Sequence, residues 1–428
     1  MDLLKYLNSI GKKEYIRKNY NLDNIKQSLN YLNSPHKKLK NIIHITGTNG
    51  KGSVAIYTAR ILFSLGYNVG LYISPHIYKI NERIQYNDEQ ITDNILSKYL
   101  TLIYKILPKK VFYKLTYFEL LTCIMFLYFA DIQPDFVILE VGLGGKLDAT
   151  NVIDYSIISC ITSIALDHTE ILGNTKFQIL KDKSAIIKKN SVFICGDIED
   201  NLRKYLKNLC KKLSTKFLYV KKSLIKNLKL NFDKWETKWK YKNFDFMIPV
   251  CSLVQPYNVL LSIKIIEEIY NLGYIKKVDY EKIQKLVAKE VIPFRMQKLY
   301  YKKLNIVIDG AHNFSAIKNF VATIQKSKLK NLFICFTMMK EKDYKSAIKI
   351  LALLKDRIER FIVYNLNIPR NQKLQILYSE AKKYFGEKVL KFNNKKNLLN
   401  YLTNFCKNKK IFFVGSFYVS KILGDKIE

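Results

Sequence analysis

Residues 41–46 (NIIHIT) form a short β-branched run, and Gly47-Thr48-Asn49-Gly50-Lys51-Gly52-Ser53 follows at once. An apolar-periodic segment then occupies residues 53–65. Strand, glycine-rich turn and helix in this order constrain the chain more than any other feature, because they open an α/β unit that can hold a phosphate. Glycines at 47, 50 and 52 permit the curvature that turns successive N–H groups inward at a helix N-terminus, where an anion is favoured. Lys51 would act as a point charge on the outer phosphates. The spacing departs from GxxxxGK[ST]: Ile45 stands where the first glycine should be, and Gly52 separates Lys51 from Ser53. By itself the pattern also fits a plain turn before a helix; the strand and helix around it favour the cradle.

Further strand-like runs at 67–73, 136–141 and 155–164 alternate with helical stretches, including 116–130. A second series lies at 304–309, 331–336, 360–364 and 411–415, after Pro293. Such alternation predicts an α/β protein with mostly parallel sheets covered on both faces. We expect a P-loop-type N-terminal domain over residues 1–293 and a smaller Rossmann-like C-terminal domain over 294–428. A length of 428 residues exceeds what one core usually fills, which agrees with two domains. The alternating segment 221–248 reads as a hairpin-like excursion within the first domain.

Lys and Arg number 72 against 36 Asp and Glu, a net charge of +36. That excess attracts nucleic acid or anionic membranes in principle. Here the lysines are spread along the whole chain without clustering on one element, so a solvated surface is the preferred reading. Seven cysteines, odd in number and without a CxxC, suggest neither a disulfide framework nor a zinc site. The first nine residues have no apolar core of signal-peptide length. Residues 120–130 fall short of a membrane span and read as a buried helix. A cytoplasmic protein is expected.

More segments carry a family resemblance. They are Ser74-Pro75-His76 with Asn81-Glu82-Arg83-Ile84, Thr116-Tyr117-Phe118-Glu119, and residues 140–151 (EVGLGGKLDATN). Leu166-Asp167-His168, residues 181–188 (KDKSAIIK), Pro293-Phe294-Arg295 and Asp309-Gly310-Ala311-His312-Asn313 follow. With GTNGKGS, this series resembles folylpolyglutamate synthase and dihydrofolate synthase, ATP-dependent Mur-type amide ligases, over nearly the whole chain. Departures include Asp182, Ser184 and Ala185 around Lys183, Val254 before Gln255, and Phe294 where glycine is usual.

From the residues alone, Glu140 at a strand end, the Ser74 hydroxyl and the His168 imidazole make an oxygen and nitrogen set compatible with Mg²⁺ beside ATP. His168 reads equally as a core residue, since histidine is an unusual magnesium ligand. The resemblance implies that Ser74, Glu140 and His168 bind metal, with two Mg²⁺ sites, and that ATP is a co-substrate held by Gly47, Thr48, Asn49, Gly50, Lys51, Gly52, Ser53, Asn258, Arg295, Asp309 and His312. Lys183 reads blandly as one of many lysines on a helix face; the resemblance implies a carbamylated lysine. Lys51, Lys183 and His168 are the implied catalytic residues. Tyr117 and Phe118 could stack on a pterin or simply fill a core, and Asp148 could accept its ring N–H donors. Arg83 and Ala149 complete the implied substrate site.

The activity implied is addition of L-glutamate to dihydropteroate and to folate polyglutamates through an acyl phosphate, with the C-terminal domain closing over ATP and binding glutamate. A polyglutamate-only synthase is the near alternative. Another Mur-type ligase, or a nucleic-acid-stimulated ATPase favoured only by charge, stands further off. A monomer acting on small molecules, without nucleic-acid or membrane partners, is expected.

Overall fold

The computed structural model describes residues 3–11, 21–407 and 409–423. The chain divides into two compact units that are not contiguous in sequence. Met1–Ala165, Thr169–Leu224 and Asn258–Leu286 form the first; Leu166–His168, Ile225–Tyr257 and Val287–Glu428 form the second.

The first unit holds an eight-stranded sheet: β1 (Ile42–Thr46), β2 (Val69–Tyr72), β3 (Ile84–Tyr86), β4 (Glu89–Gln90), β5 (Phe136–Glu140), β6 (Ile158–Ile161), β7 (Val192–Cys195) and β8 (Lys216–Tyr219). Its order is β4-β3-β2-β5-β1-β6-β7-β8. Pairing is parallel from β2 across to β8, while β3 and β4 form an antiparallel edge. Every residue of β1 is buried, as the interior of a doubly covered parallel sheet requires. The chain leaves β1 for β2 on one side and later crosses from β5 to β6 on the other. The loop after β1 therefore sits at the switch point, beyond the carboxyl ends of the strands, where open α/β sheets bind ligands.

The expected buried helix is Tyr117–Ile132, apolar on nearly all sides and packed into the core. It begins with a capping box. The Glu119 carboxylate accepts the Thr116 N–H (2.8 Å) and hydroxyl (2.7 Å), and Thr116 Oγ1 accepts the Glu119 N–H (3.1 Å).

In the second unit, β9 (Lys226–Asn231), β10 (Glu236–Tyr241) and β11 (Phe244–Ile248) make a small antiparallel sheet. This hairpin-like segment belongs to the second unit and not the first, a correction to the sequence reading. Trp235 is buried there, its indole N–H donating to the Met296 carbonyl (2.9 Å), its ring 6.2 Å from Phe412. Alternation shows which face of such a segment seeks cover but not what supplies it. The larger sheet comprises β12 (Gln297–Tyr301), β13 (Leu304–Asp309), β14 (Leu332–Phe336), β15 (Ile358–Tyr364), β16 (Val389–Phe392) and β17 (Ile411–Val414). The order is β12-β13-β17-β14-β15-β16, parallel except for the β12 edge.

All seven cysteines are buried and unbridged. Among the described residues, no helix is long and apolar enough to cross a membrane.

Candidate active site

The loop after β1 is a rigid cradle. Gly47 (φ +148°) and Gly50 (φ +89°) take backbone conformations that side chains resist, and a Cβ on Gly47 would overlap Thr162 Oγ1. Residues just past β6 clamp the loop. The Thr48 N–H donates to the Ser163 carbonyl (2.8 Å), the Asn49 N–H to Ser163 Oγ (2.9 Å), and Thr162 Oγ1 to the Asn49 carbonyl (2.7 Å). Thr48 Oγ1 both donates to the Ala165 carbonyl (3.1 Å) and accepts its N–H (3.0 Å). The helix Lys51–Ser64 starts directly from Gly50, with Ser53 fully buried in its first turn. Lys51 Nζ lies 3.4 Å from the Thr48 carbonyl, folded over the loop. Asn258 is also here: its Oδ1 would stand 2.7 Å from a Cβ on Gly50. Thr162 and Ser163 were missed as loop partners in the sequence; their only signal is their place at the end of a strand.

Glu140 ends β5 beside this cradle. Its Oε2 accepts the Ser74 N–H (2.8 Å) and would lie 3.3 Å from a Cβ on Gly52. Ser74 and Glu140 are thus brought together, against the start of the phosphate helix. Lys183 closes the helix Lys176–Lys183 and is only 4% exposed, so it is not the surface lysine that composition would suggest. Its carbonyl packs on Gly145, where a Cβ would come within 2.8 Å.

Asp148 is 5% exposed. Its Oδ1 accepts the Thr150 N–H (3.0 Å) and hydroxyl (2.5 Å), and its Oδ2 accepts the Leu143 N–H (3.0 Å). Burial raises its pKa against these donors. It caps the short helical turn Ala149–Val152, which buries Ala149. Tyr117 lies buried with the Arg83 guanidinium 5.0 Å from its ring centroid. Phe118 fits against Gly142 and Tyr72. Arg83, 3% exposed, donates from Nε to His76 Nδ1 (3.0 Å). Burial, then the Arg83 charge, push the His76 pKa down to about 4, which leaves the ring neutral.

The second unit gathers its candidate residues at the carboxyl ends of β13, β14 and β17. Asp309 accepts the Ala311 N–H (2.9 Å) on Oδ1 and the Met296 N–H (3.1 Å) on Oδ2. Burial pushes its pKa up to about 6 despite Arg295 nearby. The Arg295 guanidinium sits 4.5 Å from the Phe417 ring centroid. Phe294 takes φ +58° with its ring fully buried, so a left-handed backbone there accounts for the glycine usual at that position. His312 Nδ1 donates to the Gly310 carbonyl (2.9 Å), and burial followed by Lys342 lowers its pKa to about 4.

His168 (φ +50°) packs with this second unit. Lys342 Nζ lies 2.5 Å from Asp167 Oδ1 and 3.2 Å from His168 Nε2, while Asn313 Nδ2 donates to Asp167 Oδ2 (2.8 Å). Burial raises the Asp167 pKa, yet Lys342, His312 and His168 together hold it well below the usual carboxylate range. Sequence reading passed over Lys342 and gave Asp167 no role.

Two family models match the chain: the Mur ligase middle domain over residues 45–266, and the Mur ligase, glutamate ligase domain, over residues 294–417. A dihydrofolate synthase/folylpolyglutamate synthase of Buchnera aphidicola subsp. Schizaphis graminum is 31% identical, over 99% of this chain and 96% of its own length. The similarly named Bacillus subtilis protein is 28% identical, over 84% of each chain. Among solved structures, a folylpolyglutamate synthase of Thermotoga maritima aligns with a TM-score of 0.80 at 27% identity, covering 98% of this chain and 95% of that one. Folylpolyglutamate synthase of Mycobacterium tuberculosis, complexed with ADP and AMPPCP, shares the fold over the full length of both chains with a TM-score of 0.86 at 21% identity. A phosphate loop clamped at the switch point, a carboxylate against its helix and likeness across both units lead to one conclusion: the chain belongs to the Mur ligase family, among the dihydrofolate and folylpolyglutamate synthases.

Proposed function

We propose that this chain is an ATP-dependent acid–amino-acid ligase that joins L-glutamate to dihydropteroate and to folate polyglutamates, releasing ADP and phosphate. The observation that carries this reading is the clamped loop at residues 47–53 with Glu140 against its helix, in a chain similar end to end to synthases of that name. A carboxylate of the pterin substrate attacks the γ-phosphorus of ATP, ADP leaves, and an acyl phosphate forms. The glutamate amine then attacks the acyl carbon, loses a proton, and the tetrahedral intermediate expels phosphate. The N–H groups from Gly50 into the start of the helix, with Lys51, hold the phosphates, so positioning and electrostatics supply most of the rate. Arg295, Asp309 and His312 act on the nucleotide, and Asn258 near adenine. Residues 1–293 carry the phosphate, metal and pterin functions; residues 294–428 contribute to the nucleotide and glutamate sites.

Glu140 and Ser74 fit Mg²⁺. Among the described residues no three His, Cys, Asp or Glu side chains converge into a metal cage. One carboxylate beside a phosphate loop is how this ion is commonly held, with waters and substrate oxygens completing its shell. When bound, Mg²⁺ neutralises charge on the phosphoryl group; two ions, with His168 as a further ligand, belong to this reading. Lys183, buried beside Gly145, is the candidate for carbamylation, as the resemblance implies. Arg83, Tyr117, Phe118 and Asp148 receive the pterin, and Ala149 is the residue that favours the bifunctional enzyme over one restricted to polyglutamate extension. The protein works as a cytoplasmic monomer on small molecules, without nucleic-acid or membrane partners.

The test is ADP and phosphate release with dihydropteroate or tetrahydrofolate, with and without L-glutamate. Release that requires both substrates is expected; turnover indifferent to both, or stimulated by RNA or DNA instead, refutes the proposal.

A further inference from the structure

His44 lies in the middle of β1, fully buried between Ile43 and Ile45, four residues before the Thr48 amide of the phosphate loop. Its Nε2 is 2.8 Å from Thr150 Oγ1. Its Nδ1 is buried without a hydrogen-bond partner among the described residues. Leaving such a nitrogen unpaired destabilises the fold, and an aliphatic residue like its neighbours would not incur that penalty. The ring therefore calls for an explanation at its other nitrogen.

The hydrogen-bond chain beyond Nε2 supplies one. Thr150 has a single hydroxyl proton, and Asp148 Oδ1, 2.5 Å away, takes it. Oδ1 also accepts the Thr150 N–H and Oδ2 the Leu143 N–H, so the carboxylate acts as an acceptor on both oxygens and Thr150 Oγ1 has only lone pairs left for His44. Nε2 must then carry the ring proton and donate, which leaves Nδ1 as the bare acceptor, the atom found without a partner. In the other tautomer, Nε2 would compete for the Thr150 proton and set two oxygen lone pairs against each other at Asp148. Burial, then the Lys188 charge, lower the His44 pKa to about 3, which keeps the ring neutral and in this role.

We propose that His44 is a positioning residue: through Thr150 it holds the Asp148 carboxylate in one orientation as an acceptor for the pterin ring. The inference rests on the reading of Asp148 as a pterin ligand given above. It places the phosphate loop and the pterin acceptor under the control of one strand, since β1 carries His44 and runs directly into Gly47. A chain of this kind also strengthens each of its bonds by polarisation.

Two measurements test it. Nitrogen NMR on the wild-type protein with isotope-labelled histidine is expected to show His44 as the Nε2–H tautomer, assigned by loss of its signals in His44→Gln. An Nδ1–H tautomer overturns the proposal, and this readout does not depend on the activity of any variant. Steady-state kinetics supply the second. His44→Leu is expected to raise KM for dihydropteroate about tenfold, the scale of one buried hydrogen bond. KM for ATP should stay within about twofold, and His44→Gln, which keeps an N–H donor, should recover most of the loss. Thr150→Val should match His44→Leu, and the double variant should be no worse than Thr150→Val alone. An equal rise in both KM values, or no recovery with glutamine, marks His44 as merely structural and overturns the proposal. Asp148→Ala separates the two ideas. An unchanged dihydropteroate KM there removes Asp148 as the pterin ligand and the inference with it, whereas a raised KM there and an unaffected His44→Leu remove the inference alone.

Discussion

Asp309 is held at the carboxyl end of β13 by two backbone N–H groups, yet burial pushes its pKa from 3.8 up to about 6. That displacement corresponds to about 3 kcal/mol. Asp309 is half-buried by its accessible surface, so water screens the group and about 2 kcal/mol is the better figure. A carboxyl group with a raised pKa binds its proton more tightly when folded. Its contribution to stability is complete below pH 3.8 and is lost as the pH rises to about 6. Asp309→Asn abolishes that titration. Relative to wild type, the variant should therefore gain about 2 kcal/mol between pH 4 and pH 7, whatever fixed penalty its amide carries against the Met296 N–H. Urea unfolding followed by tryptophan emission reads this directly. The chain has two tryptophans, Trp235 and Trp239, both within Ile225–Tyr257 of the second unit, and Trp235 bonds the Met296 carbonyl. Parallel stability curves for the two proteins across that pH range would show that Asp309 does not titrate in this window.

Gly47→Ala should lose about 2–4 kcal/mol in the first unit, from an unfavourable backbone and a displaced Thr162–Asn49 bond, and should raise KM for ATP while leaving the tryptophan-reported transition in place. An unaltered KM for ATP would contradict the cradle. Lys342→Met strips the buried Asp167 of its cation while Asn313 remains, so the second unit should lose about 3 kcal/mol in the same urea assay; an unmoved midpoint would contradict the pairing. Lys183→Ala should abolish ligase turnover, whereas wild-type-like activity at low CO₂ would remove the carbamate role.

Much of this organisation was legible because it rests on local patterns. The strand–loop–helix opening needs particular glycines at particular places, and the two strand series announce two parallel sheets through their β-branched runs. What escaped has physical causes. Strand alternation in residues 226–248 does not identify the surface that will cover it, so the small sheet was placed in the wrong unit. In a chain with 72 Lys and Arg, Lys342 is indistinguishable from background until its ammonium is seen 2.5 Å from a buried aspartate. Motif residues also divide by task only in three dimensions. Glu119 caps a helix, and Glu82 accepts the N–H groups of Ile77, Tyr78 and Lys79 at 2.7 Å each, so both organise backbone within motifs that also carry candidate ligands. Phe294 works the other way: it stands where glycine is usual, and its buried ring at a left-handed position shows how the chain accommodates it.

If phosphorylation activates the substrate carboxylate, one carboxylate oxygen must leave with the phosphate. Dihydropteroate carrying isotopically heavy oxygen in its carboxylate is incubated with ATP, Mg²⁺ and L-glutamate, and the released phosphate is analysed by mass spectrometry. One heavy oxygen is expected in each phosphate released, matched by one glutamyl residue added to the pterin product. Phosphate without the label, alongside unchanged dihydropteroate, would rule out activation of that carboxylate.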